Sequence, residues 1–392
     1  MTSWKKPTPQ QIDKAIAKLI HPQQRNYFFN HLQNPEWIEP LKNKGFFQNP
    51  PSIVEDRILG TITFPMWAES RYLAQMAKHK SKEVLKIALK IESDNPRVYE
   101  DFVDAALQMP SQEAVQLVKK VKTWIEKTYS SSPLPKKVAA LIVHLAKGGH
   151  FKKALDLARS LFEVMPDSNF FNEQKAENRV YILSPKPQIR FDNWNYERII
   201  KKCVAELVKV AKNDKIDVLI MLNFLLLDAI NYSQSDGKRE QRETSLPIWE
   251  DGSHYWLYDI EESDENYSHL EVRKILITAV KDTAEQILEE DNTKIRDIVS
   301  LLEERRWRVF HRIALYLIRK YQNVDYNLLI EKLADHNRFT NSNTYEDYEY
   351  VHLLKDNFAQ LPVEKQEQIL GWIENPQIDY SWLEDQEKKL NG

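Results

Sequence analysis

Glycine is scarce in this chain: eight in 392 residues, about 2% against an average near ~7%. None sits in a cluster able to wrap a phosphate. No Gly-rich loop ending in Lys-Ser or Lys-Thr occurs, and no G-x-G-x-x-G follows a strand-like run, which argues against ATP hydrolysis or dinucleotide binding within these residues. Cysteine is scarcer still, because Cys203 is the only one. An internal disulfide and a cysteine-rich metal site are therefore excluded, and a reducing cytoplasm is the expected compartment. The ten histidines never form H-E-x-x-H, so zinc catalysis has no support, and neither a metal nor a cofactor is expected.

Long hydrophobic runs are missing as well. The most apolar stretch, 216–230, is shorter than the ~20 residues that cross a bilayer and is broken by Asp217, Asn223 and Asp228. It reads as a helix buried on most sides, and no membrane association is expected. The N-terminus MTSWKKPTPQQ has basic residues but no apolar core of signal-peptide length.

What is present is helix. Thr8 before Pro9 and Asn95 before Pro96 place a cap residue ahead of a proline at the first helical position. Apolar faces follow at helical spacing: Ile12, Ile16, Leu19 and Ile20 in one case, Val98, Phe102, Ala105 and Ala106 in the other. Ser81 and Ser111 open two more helices, and Gly45, Gly148 and Gly149 read as helix terminators. Antiparallel pairs then succeed one another: 66–79 with 82–91, 96–108 with 112–127, 136–147 with 151–163, and 195–212 with 215–232. A last group spans 269–289, 293–304, 306–321, 326–336, 345–360 and 363–374.

Pairs of about 30 to 45 residues predict an all-α chain built as an α-solenoid of antiparallel helix pairs (HEAT/ARM-like) in two lobes. The expected division is a helical lobe over 1–165, an irregular linker over 166–194 containing Pro185 and Pro187, and a second lobe over 195–392 with a long loop at 233–267. A shorter irregular link covers 48–64. The core is expected to include Trp67, Tyr72, Phe102, Trp124, Leu141, Leu155, Leu219, Phe224, Trp307, Phe310, Leu317 and Trp372.

Charge is uneven along the chain. Residues 1–200 hold 30 Lys and Arg against 21 Asp and Glu, and residues 201–392 hold 25 against 37. Such polarity orients a partner or is ordinary surface drift. Lys82, Lys86 and Lys90 form a solvated stripe. The sharpest constellation lies in 305–321, where Arg305, Arg308, Arg312 and Arg319 fall within about 60° of one helical face at 100° per residue, opposite Trp307, Phe310, Ala314, Leu317 and Tyr321. Arginine's planar fork suits phosphate and carboxylate, so the stripe is a candidate grip on nucleic acid, a nucleotide or an acidic partner. The competing reading pairs the same arginines with acids such as Glu304. The run Asp259, Glu261, Glu262, Asp264 and Glu265 lacks the ligand spacing of an EF-hand and reads as a solvated acidic loop. Cys203 reads as a small core hydrophobe.

Five segments carry a resemblance: NPEWIEPLKNKGFF (34–47), FPMWAESRYLAQMA (64–77), SDNPRVYEDFVDAAL (93–107), RRWRVFHRIALYLIRK (305–320) and YEYVHLLKDNFAQLPVEKQEQILGWIE (348–374). They resemble the degenerate HEAT-like helical-repeat region of bacterial STAND-type NTPases and related antiphage defence proteins. None is a catalytic motif. The resemblance implies a non-catalytic scaffold or sensor that binds a protein partner, and it carries over no site residue. Two alternatives stand beside it: nucleic-acid or nucleotide binding through the arginine stripe, and an enzyme that joins Asp259 or Glu261 to a distant histidine.

Overall fold

A computed structural model describes residues 4–128, 132–167, 185–233, 260–261, 271–341 and 348–374. The chain is mostly helical, and among the described residues the strands are a single antiparallel pair. Contacts divide it into two compact units, Met1–Ser233 and Gln234–Gly392.

In the N-terminal unit the helices are α1 (Pro9–Lys18), α2 (Pro22–His31), α3 (Ile38–Asn43), α4 (Ala68–Met76), α5 (Ser81–Ala88), α6 (Pro96–Gln108), α7 (Ser111–Ala114), α8 (Val118–Glu126), α9 (Leu134–Lys147), α10 (Phe151–Leu161), α11 (Asn193–Val210) and α12 (Lys215–Tyr232). A 3-10 turn, Val115–Leu117, joins α7 to α8. The capping chemistry is where the sequence puts it at Thr8 and Asn95, while Ser81 and Ser111 open α5 and α7 as their first residues without a side-chain cap. Thr8 Oγ1 accepts from the Gln11 amide and Gln11 returns the bond to Thr8 N, closing a capping box. Asn95 Oδ1 accepts from Arg97 N at 3.0 Å. Gly45 and Gly149 take the positive φ of left-handed terminators. Gly148 has a different reason to be glycine: a Cβ there would overlap Ser111 at the start of α7.

Neighbouring helices pair, most extensively α9 with α10, and a second set of contacts skips along the chain. Helices α2, α4, α6, α9 and α11 each pack against the next in that series, while α5 touches α7, α8 touches α10 and α10 touches α12. The core between them holds Tyr72, Leu73, Phe102, Val103, Leu141, Ile142, Leu157 and Leu219, all fully buried. Burial at about 25 cal/mol per Å² of apolar surface is the force that fixes the arrangement.

Three expectations need correction. The boundary expected at 166–194 does not divide the contacts, because α11 packs on α9 and both ends of that stretch are tied in. Met165 and Gln188 exchange two backbone hydrogen bonds of 2.8 Å, and the Tyr196 hydroxyl donates to Phe162 O at 2.8 Å. The link expected to be irregular over 48–64 contains a hairpin, β1 (Val54–Asp56) paired with β2 (Thr61–Thr63). Ile20 lies beyond the end of α1 and is exposed, and Leu155, Phe224 and Trp372 are only partly buried. The inward stripe of α10 is Ala154, Leu157, Ala158 and Leu161, which leaves Leu155 on its flank.

In the C-terminal unit the helices are α13 (Val272–Glu290), α14 (Ile295–Glu303), α15 (Arg308–Lys320), α16 (Tyr326–Leu333), α17 (His336–Asn341), α18 (Tyr348–Asn357) and α19 (Val363–Glu374). Helix α15 is the hub, touching α13, α14, α16 and α18. A helix so surrounded is buried well beyond one apolar stripe, and nine of its residues from Val309 to Ile318 are inaccessible, Arg312 among them.

Candidate functional site

The arginine stripe is the first place to look, and its geometry answers to structure. Arg305 precedes α15 instead of belonging to it, so it has no helical phase to share, and the His311 ring nitrogen Nε2 lies 2.7 Å from its carbonyl oxygen. Arg308 is partly buried at the first position of the helix. Arg312 is 2% exposed and grips Glu349 of α18 with Nε and Nη2 at 2.6 and 2.7 Å. Glu349 also accepts the Ile260 amide at 3.1 Å, which completes its hydrogen bonding. Arg319 binds Asp356 at 2.7 Å and Glu261 at 3.0 Å. Two of the four arginines are thus committed to carboxylates of the same unit, and Arg312 is out of reach of any ligand.

The other sequence candidates place similarly. Glu261 is a surface partner of Arg319, while Asp259, Glu262, Asp264 and Glu265 lie outside the described residues, as does the basic 237–243 segment. Cys203 is buried with its thiol pKa pushed up to about 12 by desolvation, the reverse of an activated nucleophile. Among the described residues no group of three or more His, Cys, Asp or Glu is placed to hold a metal ion, and no helix is long and apolar enough to cross a membrane.

The strongest site lies in the N-terminal unit, on the surface built by α2, α4, α6 and α9. A groove of about 700 Å³ is lined by Asn30 of α2, by Met66, Arg71, Gln75 and Lys78 on and beside α4, by Arg97, Glu100, Asp101, Asp104 and Gln108 of α6, and by Lys137 of α9. Helical spacing creates it. Arg71, Gln75 and Lys78 are exposed at i, i+4 and i+7, while Tyr72, Leu73 and Met76 turn inward. On α6 the inward face is Val98, Phe102, Ala105 and Ala106, which leaves the polar run Arg97, Glu100, Asp101, Asp104 and Gln108 along the groove.

The groove's acids are largely satisfied within the protein. Glu100 accepts the Ser132 hydroxyl at 2.9 Å and lies 3.5 Å from the Arg97 guanidinium. Asp104 holds the Lys137 ammonium at 2.6 Å. Asp101 accepts the hydroxyl of buried Ser70, and its pKa is raised to about 6. Desolvation drives that rise, and the Ser70 bond, Arg71 and Lys137 only partly oppose it. The groove's cations are not all used: among the described residues Arg71 and Lys78 form no ion pair. Two cationic donors, two turns of helix apart and flanked by the amides of Asn30, Gln75 and Gln108, face solvent in a concave surface.

No protein-family model, no curated protein and no solved structure matches this chain.

The sequence reading missed this groove. Its residues come from four helices and meet only through the contacts along the series α2, α4, α6 and α9, so the one available signal was the spacing of Arg71, Gln75 and Lys78 on a helix whose other face is apolar.

Proposed function

We propose that this chain is a non-catalytic helical-repeat scaffold, an α-solenoid of HEAT-like pairs, that binds a protein partner along the groove of α2, α4, α6 and α9. The observation that carries the reading is the pair Arg71 and Lys78, which form no ion pair among the described residues on a concave polar surface, although Arg71 lies in the field of Asp101. Contacts both between neighbouring helices and along the series α2, α4, α6, α9 and α11 support the repeat architecture, since each pair then buries its apolar face against its neighbours. The resemblance of the 64–77 and 93–107 segments to the repeats of bacterial defence NTPases adds the process: sensing or docking in cytoplasmic antiphage defence, with chemistry performed by another polypeptide or domain.

Gln75 is exposed in the middle of the groove, so Gln75→Trp plugs it without touching the core. Affinity capture from cells should return a stoichiometric protein partner with the wild-type chain and lose it with the plugged variant. Retention of every partner by Gln75→Trp overturns the assignment, and so does substrate turnover by the purified chain.

A further inference from the structure

The hairpin of β1 and β2 contributes no buried residue to the core of the N-terminal unit, yet it is anchored at both ends. Asn95, fully buried at the cap of α6, donates from Nδ2 to Pro51 O at 3.0 Å and to Pro65 O at 2.7 Å, closing both ends of the segment. Asp94 accepts the Ile53 amide at 3.3 Å. At the tip, Asp56 Oδ1 accepts from Ile58 N and Leu59 N at 2.9 and 3.0 Å, and Gly60 supplies the positive φ that completes the turn. The backbone is therefore defined, and among the side chains it displays, beside Glu55, Arg57, Thr61 and Thr63, are four large apolar ones. Ile58 is 96% exposed, Leu59 72%, and Val54 and Ile62 are exposed on opposite faces of the ribbon.

A two-stranded ribbon with apolar side chains on both faces buries too little to be stable by itself, and its edges offer unpaired backbone groups to another chain. Its second strand leads through Phe64 and Pro65 directly into Met66, which is 62% exposed and lines the groove. Arg97, two residues after the anchoring Asn95, lines the groove as well. Apolar arm and cationic groove thus share their footing at the start of α6. Glu100 and Asp104 are paired with Arg97 and Lys137, and Asp101 offsets part of the charge of Arg71, so the lining keeps a small positive excess, and complementarity selects a negative occupant.

Resting on the groove reading, we propose that the arm and the groove form one two-part site for an acidic polypeptide segment punctuated by large apolar residues. Its carboxylates meet Arg71 and Lys78, and its apolar side chains cover Ile58 and Leu59.

A phage-displayed random 12-residue peptide library, panned on the immobilised full chain, tests this. The expected winners combine Asp or Glu with large apolar residues. Their synthetic forms should compete with one another, lose binding to Gln75→Trp, and bind at least tenfold more weakly to Arg71→Glu/Lys78→Glu and, separately, to Ile58→Ser/Leu59→Ser. All three variants change exposed side chains and should melt within a few degrees of the wild-type temperature, which separates lost contacts from lost fold. Winners that need an open groove but are basic or neutral, or that ignore Ile58→Ser/Leu59→Ser, overturn the two-part site and leave the groove reading standing. No enrichment, or winners indifferent to Gln75→Trp, overturns both.

Discussion

Two sets of cations, one in each unit, use the same chemistry for opposite ends. Arg312 and Arg319 of the C-terminal unit are spent on Glu349, Asp356 and Glu261. The pattern extends through that unit: Arg296 reaches Asp325 and Glu331, and Lys332 and Arg338 share Glu303. In the N-terminal unit Arg71 and Lys78 form no ion pair among the described residues, in a concave surface where Glu100 and Asp104 are matched by Arg97 and Lys137 and Asp101 lies near Arg71. Composition follows the same line, since Met1–Ser233 carries 35 Lys and Arg against 25 Asp and Glu while 234–392 carries 20 against 33. Where acids are in excess a cation finds a partner at home, and where cations are in excess some face outward. A stripe of arginines is therefore weaker evidence of a ligand than two cations left over after pairing.

The largest effect expected from breaking this contrast is at Arg312. Arg312→Ala leaves Glu349 buried and uncompensated, and chemical denaturation should show a loss of ~3 to 5 kcal/mol. Arg312→Lys recovers only part of it, since an ammonium cannot make the two-pronged contact.

Next comes Asp101. Its folded pKa of about 6 exceeds the ordinary carboxylate value through burial, so the ionised form strains the fold. That penalty is absent below about pH 4, grows as pH rises, and is complete above about pH 6. Asp101→Asn should accordingly stabilise the protein by on the order of 2 kcal/mol at pH 8, with the gap closing toward pH 4. A melting-temperature series against pH reads this directly.

Arg71→Glu/Lys78→Glu should lower stability by no more than ~1 kcal/mol, through the loss of Arg71 beside Asp101, while weakening partner binding at least tenfold, about 1.4 kcal/mol. Arg319→Ala sharpens the comparison from the other side. Its two partners are themselves solvent-accessible, so thermal unfolding should register no more than ~1 kcal/mol.

Local signals in the sequence foretold local structure. Helix starts at Pro9 and Pro96 were legible because a cap and a proline act within one turn, and Lys215–Tyr232 was legible because its apolar run is too long for a strand and is apolar nearly all round. The hairpin was not, since its strands are three residues long, their apolar side chains face outward, and the contact that anchors them comes from Asn95, 30 and 44 residues away. Arg312 misled for a related reason. Its burial depends on Glu349, 37 residues on, and helical phase alone assigns a charged residue to the solvent side. The groove needed the packing of four helices, and Arg71 and Lys78 read in isolation resemble any solvated pair.

The most direct test of the account is retention of the captured protein partner by three forms of the chain: wild type, Arg71→Glu/Lys78→Glu, and Arg319→Glu. The account predicts that the groove variant loses the partner while Arg319→Glu holds it as the wild type does. Retention by the groove variant together with loss by Arg319→Glu would contradict it and return the arginine-bearing helix of the C-terminal unit to the centre of function.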